Sequence, residues 1–389
     1  GIDNNLSLEG KRKEIQRSKY GVSENRSKLL PQINAIAGYS NNFDPPVSVT
    51  DGSSYGVPYN ITQTLQHSAN AGLEMQMPLF NQTLYTSMSI AKVMEEISRL
   101  SYGKAREDVI LQISKMYYLG QVTAEQIMLI KANITRLEEL RDITQAFFDN
   151  GMSMEVDLKR VNINLENLKV QYDNAQAMMK QQLNMLKYIM DYPAEKEIAL
   201  TPVNTDSITT VALTGLSENI YELQLSQSQV QLAERQKKII TNGYIPSLSL
   251  TGSWRYAAYT DKGYHWFHSG PSNQWFRSYG VGLTLRIPIF DGLDKTYKIK
   301  KAMIDIENKR LAWEDARKNL QTQYLNAVND LMNNQRNFKK QKDNYLLAED
   351  VYAVTSDRYR EGIASMTEVL QDEMQMSEAQ NNYISAHYN

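Results

Sequence analysis

The chain has 389 residues, 42 basic against 44 acidic side chains, four histidines and no cysteine. Near-cancelling charge without a basic run argues against nucleic acid as a partner, and the missing thiols remove disulfides, thiolate metal sites and cysteine nucleophiles together. The length exceeds the roughly 250 to 300 residues at which a single core stops growing. No stretch approaches the roughly 20 apolar residues of a transmembrane helix, although a membrane β-strand needs only about 9 to 11 with alternate apolar positions.

In chain order, Gly1-Ile2-Asp3-Asn4-Asn5 opens inside a polar helical pattern over 1–28 with no leader signature, as expected of a trimmed mature chain. Leu30-Pro31 closes that helix and opens a first, weakly alternating strand over 31–43. A loop rich in Gly, Pro, Ser and Tyr separates it from a second strand over 67–79. There Ala69, Ala71, Leu73, Met75, Met77 and Leu79 alternate with Ser68, Asn70, Gly72, Glu74 and Gln76, the period of a strand with one apolar face. Pro78-Leu79-Phe80 ends it, and a helix over 82–147 follows, free of proline and holding only Gly103 and Gly120. At 1.5 Å per residue such a helix is about 100 Å long. It closes on the turn Asp149-Asn150-Gly151, and a return helix over 153–191 carries Met154, Leu158, Val161, Leu165, Leu168, Tyr172, Ala175 and Met179. Those alternating steps of four and three are a coiled-coil seam.

A connector over 192–216, with Pro193, Pro202 and Gly215, breaks the helical period, and then the whole series repeats over 217–389. The second copy has a helix over 217–241, strands over 245–256 and 277–289, a long helix over 294–357 and a return helix over 365–389. Pro31 is matched by Pro246, Pro78 by Pro288 and Gly151 by Gly362, at offsets of 215, 210 and 211 residues. In the first copy the two short helices together nearly match the length of the long one, as if stacked end to end beside it, whereas in the second they fall somewhat short, as they would if the C-terminus were also trimmed. The stretch 319–344 holds Gln321, Gln323, Asn326, Asn329, Asn333, Asn334, Gln335, Asn337 and Gln341, so one face of the second long helix meets water. It is either the solvated outside of a coiled coil or the wall of a water-filled tunnel.

Tyr279, Val281, Leu283, Leu285, Ile287 and Ile289 alternate with Ser278, Gly280, Gly282, Thr284 and Arg286, and Leu248, Leu250, Trp254 and Tyr256 with Ser249, Thr251, Ser253 and Arg255. Four such strands in an open sheet leave two unpaired edges, which closure across copies of the chain removes. Three copies give twelve strands, with Leu73, Met75, Met77, Val281, Leu283, Leu285 and Ile287 toward lipid and Glu74, Gln76, Arg255 and Arg286 toward a lumen. Tyr39, Phe43, Trp254, Tyr256, Tyr259, Trp266, Trp275 and Phe276 suit an interfacial girdle. The competing reading is a coiled-coil protein free of membranes, structural or adhesive, whose strands cap it as a small sheet and bury those apolar faces.

The ordered set of Leu30-Pro31 with Ile245-Pro246, Pro78-Leu79-Phe80 with Pro288-Ile289-Phe290-Asp291-Gly292, and the Tyr359-x-x-Gly362 turn resembles the TolC family of outer-membrane factors along essentially the whole chain. The resemblance implies a mainly α fold with β. Long antiparallel helical hairpins form a trimeric α-barrel in the periplasm, joined to a twelve-stranded outer-membrane β-barrel, with an equatorial region at the connector. It implies a homotrimeric exit duct of a tripartite efflux or secretion system, docked to a periplasmic adaptor and an inner-membrane pump. The periplasmic tip then holds Asp149, Gly151, Glu155, Asp157, Asp357, Arg360, Glu361, Gly362 and Glu368 as candidate gate residues, together with Arg358. Any lumen-facing carboxylate among them becomes a ring of three.

No phosphate loop, nucleophile elbow or paired-histidine helix motif is present in the sequence, so neither catalysis nor a cofactor is expected. His265 and His268 have metal-like spacing but only Asp261 near them, and are not read as a metal site. Met75 and Met77 on the strand face, and Met154 and Met179 in the seam, read as packing residues rather than soft-metal ligands.

Overall fold

The computed structural model of the chain describes residues 2, 4–45, 47–51, 56, 59–63, 65–201, 215, 217, 219–260 and 275–389. Its elements in order are α1 (Leu6–Ser27), β1 (Gln32–Asn41), β2 (Val47–Asp51), β3 (Tyr59–Gln63), β4 (His67–Phe80), α2 (Gln82–Asp149), α3 (Glu155–Met190), α4 (Tyr221–Asn242), β5 (Ser247–Thr260), β6 (Trp275–Arg286), α5 (Asp294–Arg360) and α6 (Met366–Tyr388). His265, His268, Trp266 and most of the expected connector lie outside the described residues.

The chain forms two compact units that cut across the sequence duplication, each drawing on both copies. The unit of residues 14–99 and 225–313 holds a four-stranded antiparallel sheet in the order β1-β4-β5-β6 and the helical segments joined to it. Each copy supplies one hairpin, and β4 pairs with β5 where the copies meet. β1 is the regular partner of β4 from Gln32 opposite Gln76 to Asn41 opposite His67, so its weak alternation conceals a full-length strand. The expected loop beyond it contains a ribbon, β2 paired with β3, which the Gly and Pro content hid. β6 stops at Arg286, so Ile287, expected to face lipid, lies past the described strand. Pro288 restricts the backbone of the residue before it and itself offers no N–H to a ladder. Asn81 starts α2 by accepting the N–H groups of Thr83 at 3.1 Å and Leu84 at 3.4 Å on its side-chain oxygen.

The other unit, residues 1–13, 100–224 and 314–389, is helical. Ile130, Leu137 and Leu140 of α2, Val161, Leu165 and Leu168 of α3, Tyr345 and Tyr352 of α5, and Val369, Leu370 and Met376 of α6 form its core. The seam of α3 runs further than its sequence pattern suggests, through buried Gln182, Leu186 and Ile189. Its expected first member, Met154, is instead the residue preceding the helix, in extended backbone and 71% exposed. End-to-end stacking of the short helices is direct in the first copy. Asn5 caps α1 by accepting the Leu8 N–H at 3.0 Å while its side-chain amide donates to the Ile189 carbonyl at 2.7 Å. The two glycines of α2 are places of close approach: a Cβ on Gly103 would fall 2.4 Å from the Tyr221 ring, and one on Gly120 2.7 Å from Leu200.

Polar groups are threaded through this core. Tyr383 donates to Glu125 at 2.7 Å and the His387 Nδ1 lies 2.8 Å from the other oxygen. Burial by itself would raise the Glu125 carboxyl, but those two contacts, helped by the charge of Lys342, bring it below its ordinary value. Glu373, 6% exposed, is the opposite case: burial raises its carboxyl, and the charge of Arg136 offsets only part of that. A carboxyl raised on folding is neutral in both states at low pH, and the unfolded chain loses its proton first as pH rises, so stability falls through that window and stays lower above it. Glu373→Gln is therefore expected to be more stable than wild type at neutral pH, the advantage vanishing below about pH 4, where an ordinary glutamate is protonated. Urea unfolding midpoints across pH check this, and an unchanged or lowered midpoint at pH 7 would remove the assigned burial cost.

Candidate functional site

Two regions assemble the residues singled out by sequence. The first is the pair of helix reversals. In the α2–α3 turn Gly151 has φ of 73°, its N–H donates to the Phe148 carbonyl at 2.9 Å, and the Met152 N–H donates to Phe147 at 2.8 Å. In the α5–α6 turn Gly362 has φ of 75°, with the corresponding bonds from Gly362 to Tyr359 at 2.9 Å and from Ile363 to Arg358 at 2.8 Å. Both are Schellman closures, in which the left-handed residue lacks the Cβ that would oppose that backbone. The tip duplication is thus geometric as well as sequential.

The helices that leave the turns differ. Ser365 caps α6 by accepting the Glu368 N–H, and Glu368 accepts the Ser365 N–H at 2.7 Å, a capping box that holds the Glu368 carboxyl below its ordinary value. Met154 gives α3 no side-chain cap. Most of the tip charges are engaged within the chain. Glu155 meets Lys159 at 2.7 Å, which lowers its pKa, and Asp157 meets Arg160 at 3.3 Å. Arg360 reaches Asp357 at 3.2 Å and Glu139 of α2 at 3.4 Å, while Asp149 accepts from Gln145 at 2.8 Å. Glu361 is exposed, with no side-chain bond or ion pair within the chain among the described residues. Between the two hairpins, the Tyr359 hydroxyl donates to Thr144 at 3.4 Å and its ring lies 5.5 Å from that of Phe147. An apolar collar went unread in the sequence: Met152, Met154, Val156 and Ile363 stand out at the turns, 45% to 71% exposed. Its signal was the clustering of Met and β-branched residues around two glycine turns, masked by the more numerous charges.

The second region is the four-stranded sheet. Cross-strand partners share a face, and the register runs in unbroken rows: Ile33, Met75, Gly252 and Val281; Ala35, Leu73, Trp254 and Tyr279; and, on three strands, Met77, Leu250 and Leu283. Leu285 joins this face opposite Leu248. The other face carries Gln32, Gln76, Thr251 and Gly282; Asn34, Glu74, Ser253 and Gly280; and Ile36, Gly72, Arg255 and Ser278, with Arg286 opposite Ser247. Tyr39, Trp254, Tyr256 and Trp275 stand on the apolar face, toward the end away from the helices. Tyr259 and Phe276, expected in the same girdle, fall on the polar face, because they are paired with Ser68 and Ala257. In the chain by itself Val281 is 80%, Leu283 66% and Leu285 61% exposed. Among the described residues, no group of three or more His, Asp or Glu side chains is arranged to hold a metal ion, and no helix is long and apolar enough to cross a membrane.

Comparison with known proteins agrees with this geometry. The family described as outer membrane efflux protein matches residues 2–190 and 216–389, one stretch for each sequence copy. Outer membrane protein TolC of Vibrio cholerae is 21% identical over 383 residues, 94% of this chain and 81% of that protein. The probable efflux pump outer membrane protein TtgC of Pseudomonas putida is 23% identical over 357 residues, 86% of this chain and 70% of its own length. The solved open state of the Neisseria gonorrhoeae MtrE outer membrane channel superposes with a TM-score of 0.76 at 18% identity, covering 100% of this chain and 84% of that one.

Proposed function

The chain belongs to the outer membrane efflux protein family, and from that premise we propose that three copies close their sheets into one twelve-stranded barrel continuous with a helical duct through the periplasm. It is an outer-membrane channel of an efflux system, and transport through it is passive: the chain performs no chemistry of its own. It docks to a periplasmic adaptor and through it to an inner-membrane pump, with the apolar collar at Met152, Met154 and Ile363 as the docking surface. The Gly151 and Gly362 turns are the tip, and the gate is built from the charged side chains beside them.

The observation that carries this reading is the continuous apolar face of a sheet whose outer strands have no further strand paired to them among the described residues. β1 and β6 are its outer strands. All neighbours are antiparallel, and the even number per copy lets β6 of one chain meet β1 of the next in the same sense. Closure then satisfies every edge N–H and C=O, which hydrocarbon demands. The apolar rows contact lipid and the polar rows line water. A capping sheet in a protein free of membranes would bury Val281 and Leu283, whereas no described part of the chain covers them.

Light scattering coupled to size-exclusion chromatography, with and without mild detergent, tests the assembly. A detergent-dependent trimer that conducts in planar bilayers is expected. A species monodisperse without detergent that never conducts would overturn the reading.

A further inference from the structure

We propose that the Glu74–Arg255 pair is a selectivity-determining element of the barrel: it cancels charge on the polar face of the sheet, so that this stretch of the lumen passes solutes of either sign. The inference rests on the barrel reading above. Among the described residues of the four strands, Glu74, Arg255 and Arg286 are the only acidic or basic side chains on that face. Arg277 stands on the other face, over the Tyr279 ring at 5.7 Å.

Arg255 is not opposite Glu74 in the register but opposite Gly72, and its guanidinium reaches diagonally from β5 to β4 to donate to Glu74 Oε1. Gly72 leaves room for the Arg255 side chain, since a Cβ there would sit 3.0 Å from Arg255 Cγ, and it also lets the strands approach, since the same Cβ would sit 2.3 Å from the Trp254 carbonyl oxygen and 2.9 Å from Arg255 Cα. The neighbours on the same face are Asn34, Ile36, Ser253, Gly280 and Ser278, all uncharged, so among the described residues of the sheet no other charge stands beside the pair. The paired side chains are 47% and 40% exposed. An ion pair so open to water contributes little to folding, which leaves charge cancellation as its consequence. A three-fold axis places three pairs at one level. Removing either partner turns that neutral belt into a ring of three like charges, the arrangement that biases ions in pores.

The test is the reversal potential of single channels in a KCl gradient, with the tip sequence the same in every protein so that the tip contributes equally. Glu74→Gln, which frees Arg255, is expected to shift the potential toward anion preference, and Arg255→Gln toward cation preference. The charge swap of Glu74→Arg with Arg255→Glu is expected to return it to the wild-type value. Channels that conduct with unmoved potentials, or with both single variants shifted in one direction, overturn the inference while leaving the channel reading intact. A wild-type chain that neither trimerises nor conducts removes the channel reading, and this inference with it. If the two neutral variants yield no trimer but the swap does, the pair serves assembly rather than lumen charge, and the proposal fails.

Discussion

Val281→Arg is expected to abolish recovery of the trimer from outer membranes, whereas Thr284→Arg, three residues along the same strand, is expected to leave assembly intact. Val281 lies mid-strand in β6, opposite Gly252 and in the row of Ile33 and Met75, on the face read as lipid-contacting. An arginine there costs roughly 2 to 4 kcal/mol at the bilayer midplane, and a symmetric trimer bears it three times. Leu285→Arg, nearer the helix end of β6, should be milder, since the cost falls toward about 0 to 1 kcal/mol at the interface. Thr284 is of opposite parity, opposite Ser249 on the polar face, where the barrel reading has an arginine meet water. Detergent extraction followed by native gels reads all three. Equal assembly of the Val281 and Thr284 variants would sink the face assignment, because both rest on the same register.

Leu140→Ala is expected to lower the unfolding free energy of each protomer by about 2 to 5 kcal/mol, the range for emptying a buried leucine site. Leu140 is 1% exposed in the helical core, among residues from α2, α3, α5 and α6. Collapse around the void is resisted because the facing seam residues Val161 and Leu165 are themselves fully packed and held on a continuous helix. Leu111→Ala on the same helix, with Leu111 53% exposed in the chain by itself, is the control and should cost far less if that position faces water in the trimer. Chemical denaturation of the detergent-solubilised protein compares them. A loss below 1 kcal/mol for Leu140 would mean that the four-helix core is not the stabilising centre of this unit.

The seam of α3 and the strand parity were legible in the amino-acid sequence because each rests on a local period, 3.5 residues for the seam and two for the rows of β4 and β6, and the duplication because the same ordered motifs recur about 210 residues apart. Glycine at both reversals was legible for the same reason, since only a residue tolerant of positive φ closes that turn without strain. The tip and sheet residues could be named, but not their engagements. The Arg360–Glu139 contact joins positions 221 apart, and Tyr383–Glu125 joins positions 258 apart. No local period encodes such pairs. Likewise the ribbon of β2 and β3 pairs in a segment of turn-prone composition, where cross-strand partners rather than propensity decide the conformation.

By itself, then, the sequence determined the helices, the four strands of the main sheet, their order and the two faces of β4, β5 and β6, because backbone geometry converts spacing into direction. Only the tertiary structure decided which rows meet across the sheet, that Arg255 reaches diagonally past Gly72 to Glu74, that β5 runs on through Tyr259, and that Met154 stands outside the seam. Each of these depends on cross-strand register or on where an element ends, and a slip of one residue in register moves a strand's whole apolar set to the other face.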